Sequence, residues 1–400
     1  MTTLLIDDDP FTLTLLSGQL AQLGCEGLTL CERARDALEL LETQFETIGL
    51  VFCDLQMPDI DGVEFVRHLA RLGYRGGLVL VSGENGRILQ SVKKLAQAHH
   101  IHLLGALTKP VSPDQLRAVL ASHTSGRAAP TRVTTRRHGP DELRHAIMRG
   151  ELVNHYQPKV ALTTGSLIGV EALVRWQHPR DGLVFPDQFI TMAEEHGLMD
   201  ALTRAVLTIA LRQARLWRDA GLDLQLAVNV SMDNLAALDF PDVVAQLADE
   251  AGVPLSNLVL ELTESRLMND QRAPLDILTR LRLKRIGLSI DDFGTGHSSL
   301  AQLRDLPFDE LKLDRSFING VARDPSLRAI VEATLAMAAQ LGMKAVAEGV
   351  EDRADWDCLR ALSCDVAQGY FIARPMPAPD LPAWLSGWEL RQAELTAAAR

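Results

Sequence analysis

"LSIDDFGTGHSSL", residues 288–300, ends an apolar run on two adjacent acids, Asp291 and Asp292, and turns at once through Gly-Thr-Gly. Side chains alternate faces along a strand, so one acid is expected to point away from wherever its neighbour points. Either both acids meet solvent, or something positive lies between them. The runs around this one set the frame. "LVNHYQPKV" (152–160), "SLIGVEALVRW" (166–176), "LQLAVNVS" (224–231) and "LVLELTE" (258–264) precede it. "FDELKLD" (308–314), "MKAVAEG" (343–349) and "DVAQGYFIA" (365–373) come after it. With "IGLSIDD" (286–292) these make eight strand-like runs, most of them separated by helical patterns such as "ALTRAVLTIALRQARLWRDAG" (201–221). Eight strands with crossover helices predict a closed, TIM-like (β/α)8 barrel. The first connection, "ALTTGS" (161–166), is too short for a crossover helix, so the first strand should be antiparallel to the second.

The carboxyl ends of these runs carry Glu171 and Arg175, then Asn229, Glu261, Asp291 and Asp292, Lys312 and Asp314, Glu348, and Gln368. In a barrel they converge on one face, the face where barrel enzymes keep their chemistry. Two carboxylates ~4 Å apart in a partly buried cleft cost on the order of 4 kcal/mol at an effective dielectric of 20. Several of them together demand protonation or a cation. The set is all oxygen, without His or Cys, which selects Mg²⁺ or Mn²⁺ over Zn²⁺. Adjacent Asp291 and Asp292, with Asp291 bridging, suit the paired ions of two-metal phosphoester hydrolases. Glu171 with Arg175, and Lys312 with Asp314, each share a strand face and read equally as structural ion pairs.

The first third of the chain alternates strands and helices differently. "TTLLID" (2–7), "GLVFCD" (49–54), "GLVLVSG" (77–83) and "LLGALTKP" (103–110) are candidate strands, and "FTLTLLSGQLAQLG" (11–24) is a helix ending on Gly24. The pattern implies a flavodoxin-like, doubly wound parallel sheet with functional groups at the strands' carboxyl ends. Those ends hold Asp7, Asp8 and Asp9, then Asp54, Ser82 and Lys109. Clustered acids favour Mg²⁺, and a carboxylate beside Mg²⁺ and a lysine is a nucleophile toward a phosphoryl group. His99, His100 and His102 lack neighbouring acids or cysteines and read as a solvated helix end. "ASHTSGRAAPTRVTTRRHGP" (121–140) lacks an apolar period and reads as a linker. A net charge of −12 argues against a nucleic-acid polymer as partner. No apolar run approaches the ~20 residues of a membrane span, and the start reads as no signal peptide. Five cysteines without a CxxC pair read as free thiols in a reducing cytoplasm.

On these residues the first segment, 1–122, resembles a response-regulator receiver domain, joined by a linker (123–139) to the barrel segment. The resemblance implies Asp54 as phosphoacceptor, Asp7 and Asp8 as the acidic pair with one metal ion, Ser82 as switch hydroxyl and Lys109 as its lysine. A histidine kinase is the implied phosphodonor. Ala106 stands where the family carries an aromatic switch residue, and the interval from Ser82 to Lys109 is long. Residues 140–390 resemble an EAL domain through "EALVR", "NVS", "ELTES", "DDFGTG", "KLD", "EGVE" and "QGYFIARPM", in that order. That resemblance implies hydrolysis of cyclic di-GMP to linear pGpG by a cyclic-guanylate-specific phosphodiesterase. Glu171, Asn229, Glu261, Asp291 and Asp292 would bind two Mg²⁺ or Mn²⁺ ions, with Ca²⁺ inhibitory. Glu348 would hold or activate the water, Lys312 orient it and Asp314 assist. Gln157, Arg175 and Gln368 would contact the dinucleotide. Glu264 would brace the loop after the fifth strand, which the family uses in metal binding and dimerisation. There His297 replaces the tyrosine of the family's "GTGYSS". No catalytic-type position is missing, which favours an enzyme over two alternatives: a cyclic di-GMP sensor, or a receiver that sequesters a kinase.

Overall fold

The computed structural model describes residues 2–25, 27–44, 47–74, 76–83, 92–93, 95–96, 99, 101–125, 138–263, 272–294 and 300–397. The chain divides into two compact units, Met1–Arg136 and Arg137–Arg400.

In the first unit, the described strands β1 (Thr2–Ile6), β2 (Leu28–Cys31), β3 (Ile48–Asp54), β4 (Gly77–Ser82) and β5 (Leu103–Thr108) form a parallel sheet in the order 2-1-3-4-5. Alternate residues feed two cores. Leu4, Ile6, Val51 and Cys53 pack on one face, and Leu5, Leu50, Phe52 and Val81 on the other. This is why these strands read as unbroken apolar runs. β2 was not among the expected strands: it is a four-residue edge strand of which only Cys31 is buried. Asp9, the third acid of "DDD", caps the helix Pro10–Gln22 by accepting from the N–H groups of Phe11 and Thr12. In this strand order the switch point lies between β1 and β3, the place where such sheets bind ligands. The helix Pro113–Ser125 continues into the stretch read as linker.

In the second unit, eight described strands close a barrel: β6 (Leu152–Ala161), β7 (Leu167–His178), β9 (Gln225–Asn229), β10 (Leu258–Thr263), β11 (Gly287–Phe293), β12 (Glu310–Leu313), β13 (Lys344–Ala347) and β14 (Val366–Ala367). β6 runs antiparallel to both its neighbours, β7 and β14, and its pairing with β7 closes the ring. This is the TIM-like barrel with a reversed first strand. Short strands β8 (Gly182–Val184) and β15 (Met376–Pro377) add to it at β7 and β6. The register stacks inward residues in layers. Glu261, Ser289 and Glu310 lie level on adjacent strands, and Asp291 and Lys312 stand two residues further toward the carboxyl ends. After β14, Gly369 lies so close to the Val350 backbone that a Cβ would sit 2.2 Å from the Val350 carbonyl oxygen. Only glycine lets these two loops cross at the mouth.

Candidate active site

The answer to the two adjacent acids is a break in the ladder. β11 pairs with β12 as Ser289–Glu310 and Ile290–Leu311, then resumes at Phe293–Leu313. Two residues of β11, Asp291 and Asp292, therefore oppose one residue of β12, which is a β-bulge. Asp292 takes up the extra length at φ 56°, a left-handed conformation that Asp tolerates better than most residues. The expectation that the two acids face apart is overturned. The bulge turns both to the barrel mouth, where oxygens of Asp291, Asp292 and Glu348 lie within 4.8 Å of one another.

The positive charge among them is Lys312. Its ammonium is buried and lies 2.6 Å from Glu348 Oε1, 2.8 Å from Glu261 Oε2, 3.2 Å from Asp291 Oδ1 and 3.7 Å from Glu171 Oε2. Lys312 is thus tied to acids on four other strand ends, and the carboxylate of Asp314 instead caps the short helix Arg315–Ile318, accepting from the Ser316 N–H. Burial works against the charge on Lys312, but Glu171, Glu261, Glu348 and Asp291 outweigh it and raise its pKa well above the ordinary lysine value. One lysine does not neutralise the mouth. Burial, reinforced by the charge of Glu261, pushes Glu171 up to about 7. Burial, opposed by Lys312 and reinforced by Asp291 and Glu171, pushes Glu348 up to about 8. Glu261 is also buried, yet Lys312 and Lys159 more than offset that and bring it down to about 2. An oxygen-only donor set short of positive charge fits a hard divalent cation.

The remaining groups frame this centre. Asn229 Nδ2 donates to Glu171 Oε1 at 2.7 Å, which leaves its carbonyl oxygen as the atom it can offer an ion. Gln368 Nε2 donates to Glu171 Oε2 and Gln157 Oε1, and Gln157 Nε2 donates to the Ala373 carbonyl. Above them opens a cleft of about 270 Å³, lined by Gln157, Glu171, Asp292, Asp314, Glu348 and Gln368 among others. Arg175 is not on its wall: it is buried, donates to the Val174 carbonyl and lies over the Phe185 ring. Glu264, His297 and His100 lie outside the described residues. Sequence reasoning missed Arg315 and Tyr370, which also line the cleft. It missed Lys159, Ser289 and Glu310, a buried polar layer in the same barrel. Their signal was the period of two: Lys159 shares a strand face with Gln157, and Glu310 with Lys312.

The first unit has its own acidic site at the switch point. Oxygens of Asp7, Asp8 and Asp54 lie within 4.8 Å of one another. Lys109 Nζ is 2.7 Å from Asp7 Oδ2 and 3.0 Å from Asp54 Oδ2. Burial raises the pKa of Asp54, only partly countered by Lys109. Ser82 is buried at the end of β4, and its carbonyl accepts from the Lys109 N–H at 2.8 Å.

A doubly wound sheet with an Asp–Lys site, followed by a reversed-strand barrel with an acidic mouth, defines a receiver joined to a barrel hydrolase-type domain. Residues 3–121 match the response regulator receiver domain and residues 141–375 the EAL domain, and the chain belongs to the EAL domain family. It is 32% identical to the cyclic di-GMP phosphodiesterase RocR of Pseudomonas aeruginosa over 97% of this chain and 99% of that protein. It is 47% identical to the bifunctional diguanylate cyclase/cyclic di-GMP phosphodiesterase MucR of Pseudomonas aeruginosa over 60% of this chain, a match that spans only 36% of that longer protein. A solved structure described as the PaMucR phosphodiesterase in complex with c-di-GMP superposes with a TM-score of 0.57, at 47% identity, over 60% of this chain and 98% of that one.

Proposed function

We propose that this chain hydrolyses cyclic di-GMP to linear pGpG under the control of its receiver domain. The observation that carries the reading is the convergence of Glu171, Glu261, Asp291 and Glu348 on Lys312 at the mouth of the barrel. Likeness to RocR along its whole length supports it. Glu171, Asn229, Glu261, Asp291 and Asp292 would hold two Mg²⁺ or Mn²⁺ ions, which when bound supply Lewis acidity toward the water and the phosphodiester. Glu348 keeps Oε1 on Lys312 and leaves Oε2 to take a proton from the attacking water. Water adds to phosphorus, the bond to the 3′ oxygen breaks, and that oxygen leaves as a hydroxyl after taking up a proton. Lys312 fixes the acids, Asp314 supports the loop beside it, and Gln157 and Gln368 on the cleft wall contact the dinucleotide, whereas Arg175 would reach it only by turning away from the Val174 carbonyl. Arg315 on the cleft wall suits its phosphates. Beside the cleft, and sharing Leu173 with it, lies an apolar pocket of about 260 Å³ with Pro186, Ile190, Met199 and Asn229 on its walls. Its size and lining suit a flat purine base.

The finer parts of this reading are a histidine kinase as phosphodonor, one metal ion in the receiver, dimerisation through the EAL domain and action in the cytoplasm. Among the described residues no helix is long and apolar enough to cross a membrane. The test is incubation with cyclic di-GMP in Mg²⁺ or Mn²⁺, in chelator, and in Ca²⁺. Linear pGpG should form with Mg²⁺ or Mn²⁺ and stop with chelator. Ca²⁺, which prefers more ligands and a looser geometry, should support binding without turnover. Binding without turnover in Mg²⁺ and Mn²⁺ alike would instead favour a sensor of the dinucleotide.

A further inference from the structure

Beneath the mouth lies a charged layer for which hydrolysis itself has no direct use. Lys159, on the reversed strand β6, is only 4% exposed. Its Nζ donates to Glu261 Oε1 at 3.0 Å and to Glu310 Oε1 at 2.8 Å. Ser289 Oγ donates to the same Glu310 oxygen at 3.0 Å. Glu261 is fully buried and is gripped from both sides, Oε1 by Lys159 below and Oε2 by Lys312 above. Barrel interiors are ordinarily filled by branched aliphatic side chains. A buried ion pair is weak evidence for stability, because a well-packed apolar pair often does as well. Lys159 and Glu310 also balance each other, so they do not relieve the shortage of positive charge at the mouth. What this layer supplies that an apolar one would not is orientation.

We infer that Lys159 is a positioning residue of the hydrolytic site, clamping Glu261 Oε1 from the barrel floor so that the carboxylate presents Oε2 to the mouth, with Glu310 and Ser289 holding Lys159 in place. This rests on the reading of Glu261 as a metal ligand and deepens it.

The test uses the full chain and reads Mn²⁺ binding directly, by calorimetry or electron paramagnetic resonance, beside turnover. Lys159→Met combined with Glu310→Gln keeps the net charge and roughly the volume of the floor. The thermal midpoint in chelator should stay near that of the wild type. The Mn²⁺ dissociation constant should rise about 10–100-fold, the usual range when a ligand loses its supporting partner. At limiting metal kcat should fall correspondingly, with KM for cyclic di-GMP little changed. A purely structural role would move the thermal midpoint and leave Mn²⁺ affinity alone. A folded double variant with wild-type Mn²⁺ affinity and kcat overturns the inference. Should that variant not fold, Glu310→Gln alone leaves an unbalanced positive floor under Glu261, and wild-type Mn²⁺ binding in it overturns the inference as well. Glu261→Gln separates the ligand from its support. If it leaves Mn²⁺ binding intact, the metal-ligand reading itself fails. If it abolishes binding while the double variant behaves as wild type, only the role of Lys159 fails.

Discussion

Lys312 Nζ and Asp291 Oδ1 stand 3.2 Å apart in a buried mouth that holds more acids than lysines. Removing one acid there relieves repulsion in the empty site while removing a ligand from the filled one. Asp291→Asn keeps the side-chain volume, so its thermal midpoint in chelator should match or exceed that of the wild type. Hydrolysis should fall below about one per cent, since even outer-shell partners of a metal site are worth 10–100-fold. Retained turnover would sink the metal reading, and loss of the fold would make Asp291 a structural residue. The same shortage of charge predicts a pH dependence. Glu171 and Glu348 sit at about 7 and 8 against an ordinary value of 4.5. The folded protein therefore holds protons there that the unfolded chain has released, and metal-free stability declines as pH rises from 4.5 to about 8. Glu261, held down at about 2, acts only below that window. In chelator the thermal midpoint should drop by roughly 5–10 °C between pH 5.5 and 8. In Mn²⁺ it should not, because bound metal replaces those protons. Parallel pH slopes with and without metal would refute this. At this scale the mouth acids were legible because Asp291, Asp292 and Glu348 come at or just past the close of apolar runs, and Glu171 and Glu261 stand in "EALVR" and "ELTES". Lys159 and Glu310 share strand faces with Gln157 and Lys312, but that spacing gives no hint that the two are partners across the barrel.

At the level of elements, the reversed strand β6 followed from a six-residue connector, since no crossover helix fits into it. The bulge in β11 did not, because a bulge exists only relative to a partner, and β12 enters the sequence far from the acids it re-aims. The edge strand β2 escaped for a different reason: four residues, mostly half-exposed, make neither an alternating nor a solid apolar run. The bulge carries its own prediction. Asp292 at φ 56° has both a backbone role and a charge role, and two substitutions separate them. Asp292→Asn and Asp292→Ala both delete the charge, so both should lose activity and relieve the same repulsion. Asn is tolerated in the left-handed region, whereas Ala meets the Cβ penalty of roughly 1–2 kcal/mol. The Ala variant should therefore melt a few degrees below the Asn variant, as calorimetry would read. Equal midpoints would mean that the positive φ is not a constraint on the folded domain.

For the molecule as a whole, the proposed function has the receiver govern the barrel, and the Asp54 site offers the lever. Lys109 already bridges Asp7 and Asp54, and its N–H is tied to the Ser82 carbonyl at the neighbouring strand end. A phosphoryl group on Asp54 adds about −1.5 to −2 charges beside that ammonium. It should draw Lys109 from Asp7 and bring the Ser82 hydroxyl toward the phosphoryl oxygens, shifting the loops at the carboxyl ends together. Ala106, a methyl packed at the edge of the core, has no rotamer with which to report this. The signal must then leave the receiver through those loops and the surface beside them, rather than through an aromatic switch. Allosteric couplings of roughly 1–3 kcal/mol correspond to about 5–150-fold in the coupled equilibrium, and an increase of that order in turnover is the expected response to phosphorylation. Hydrolysis of cyclic di-GMP measured with and without a small-molecule phosphodonor, in the wild type and in Asp54→Asn, decides it. Stimulation confined to the wild type supports receiver control. Equal stimulation in Asp54→Asn would remove Asp54 from the pathway. No response in a wild-type protein whose phosphorylation is verified by mass would leave the barrel acting on its own.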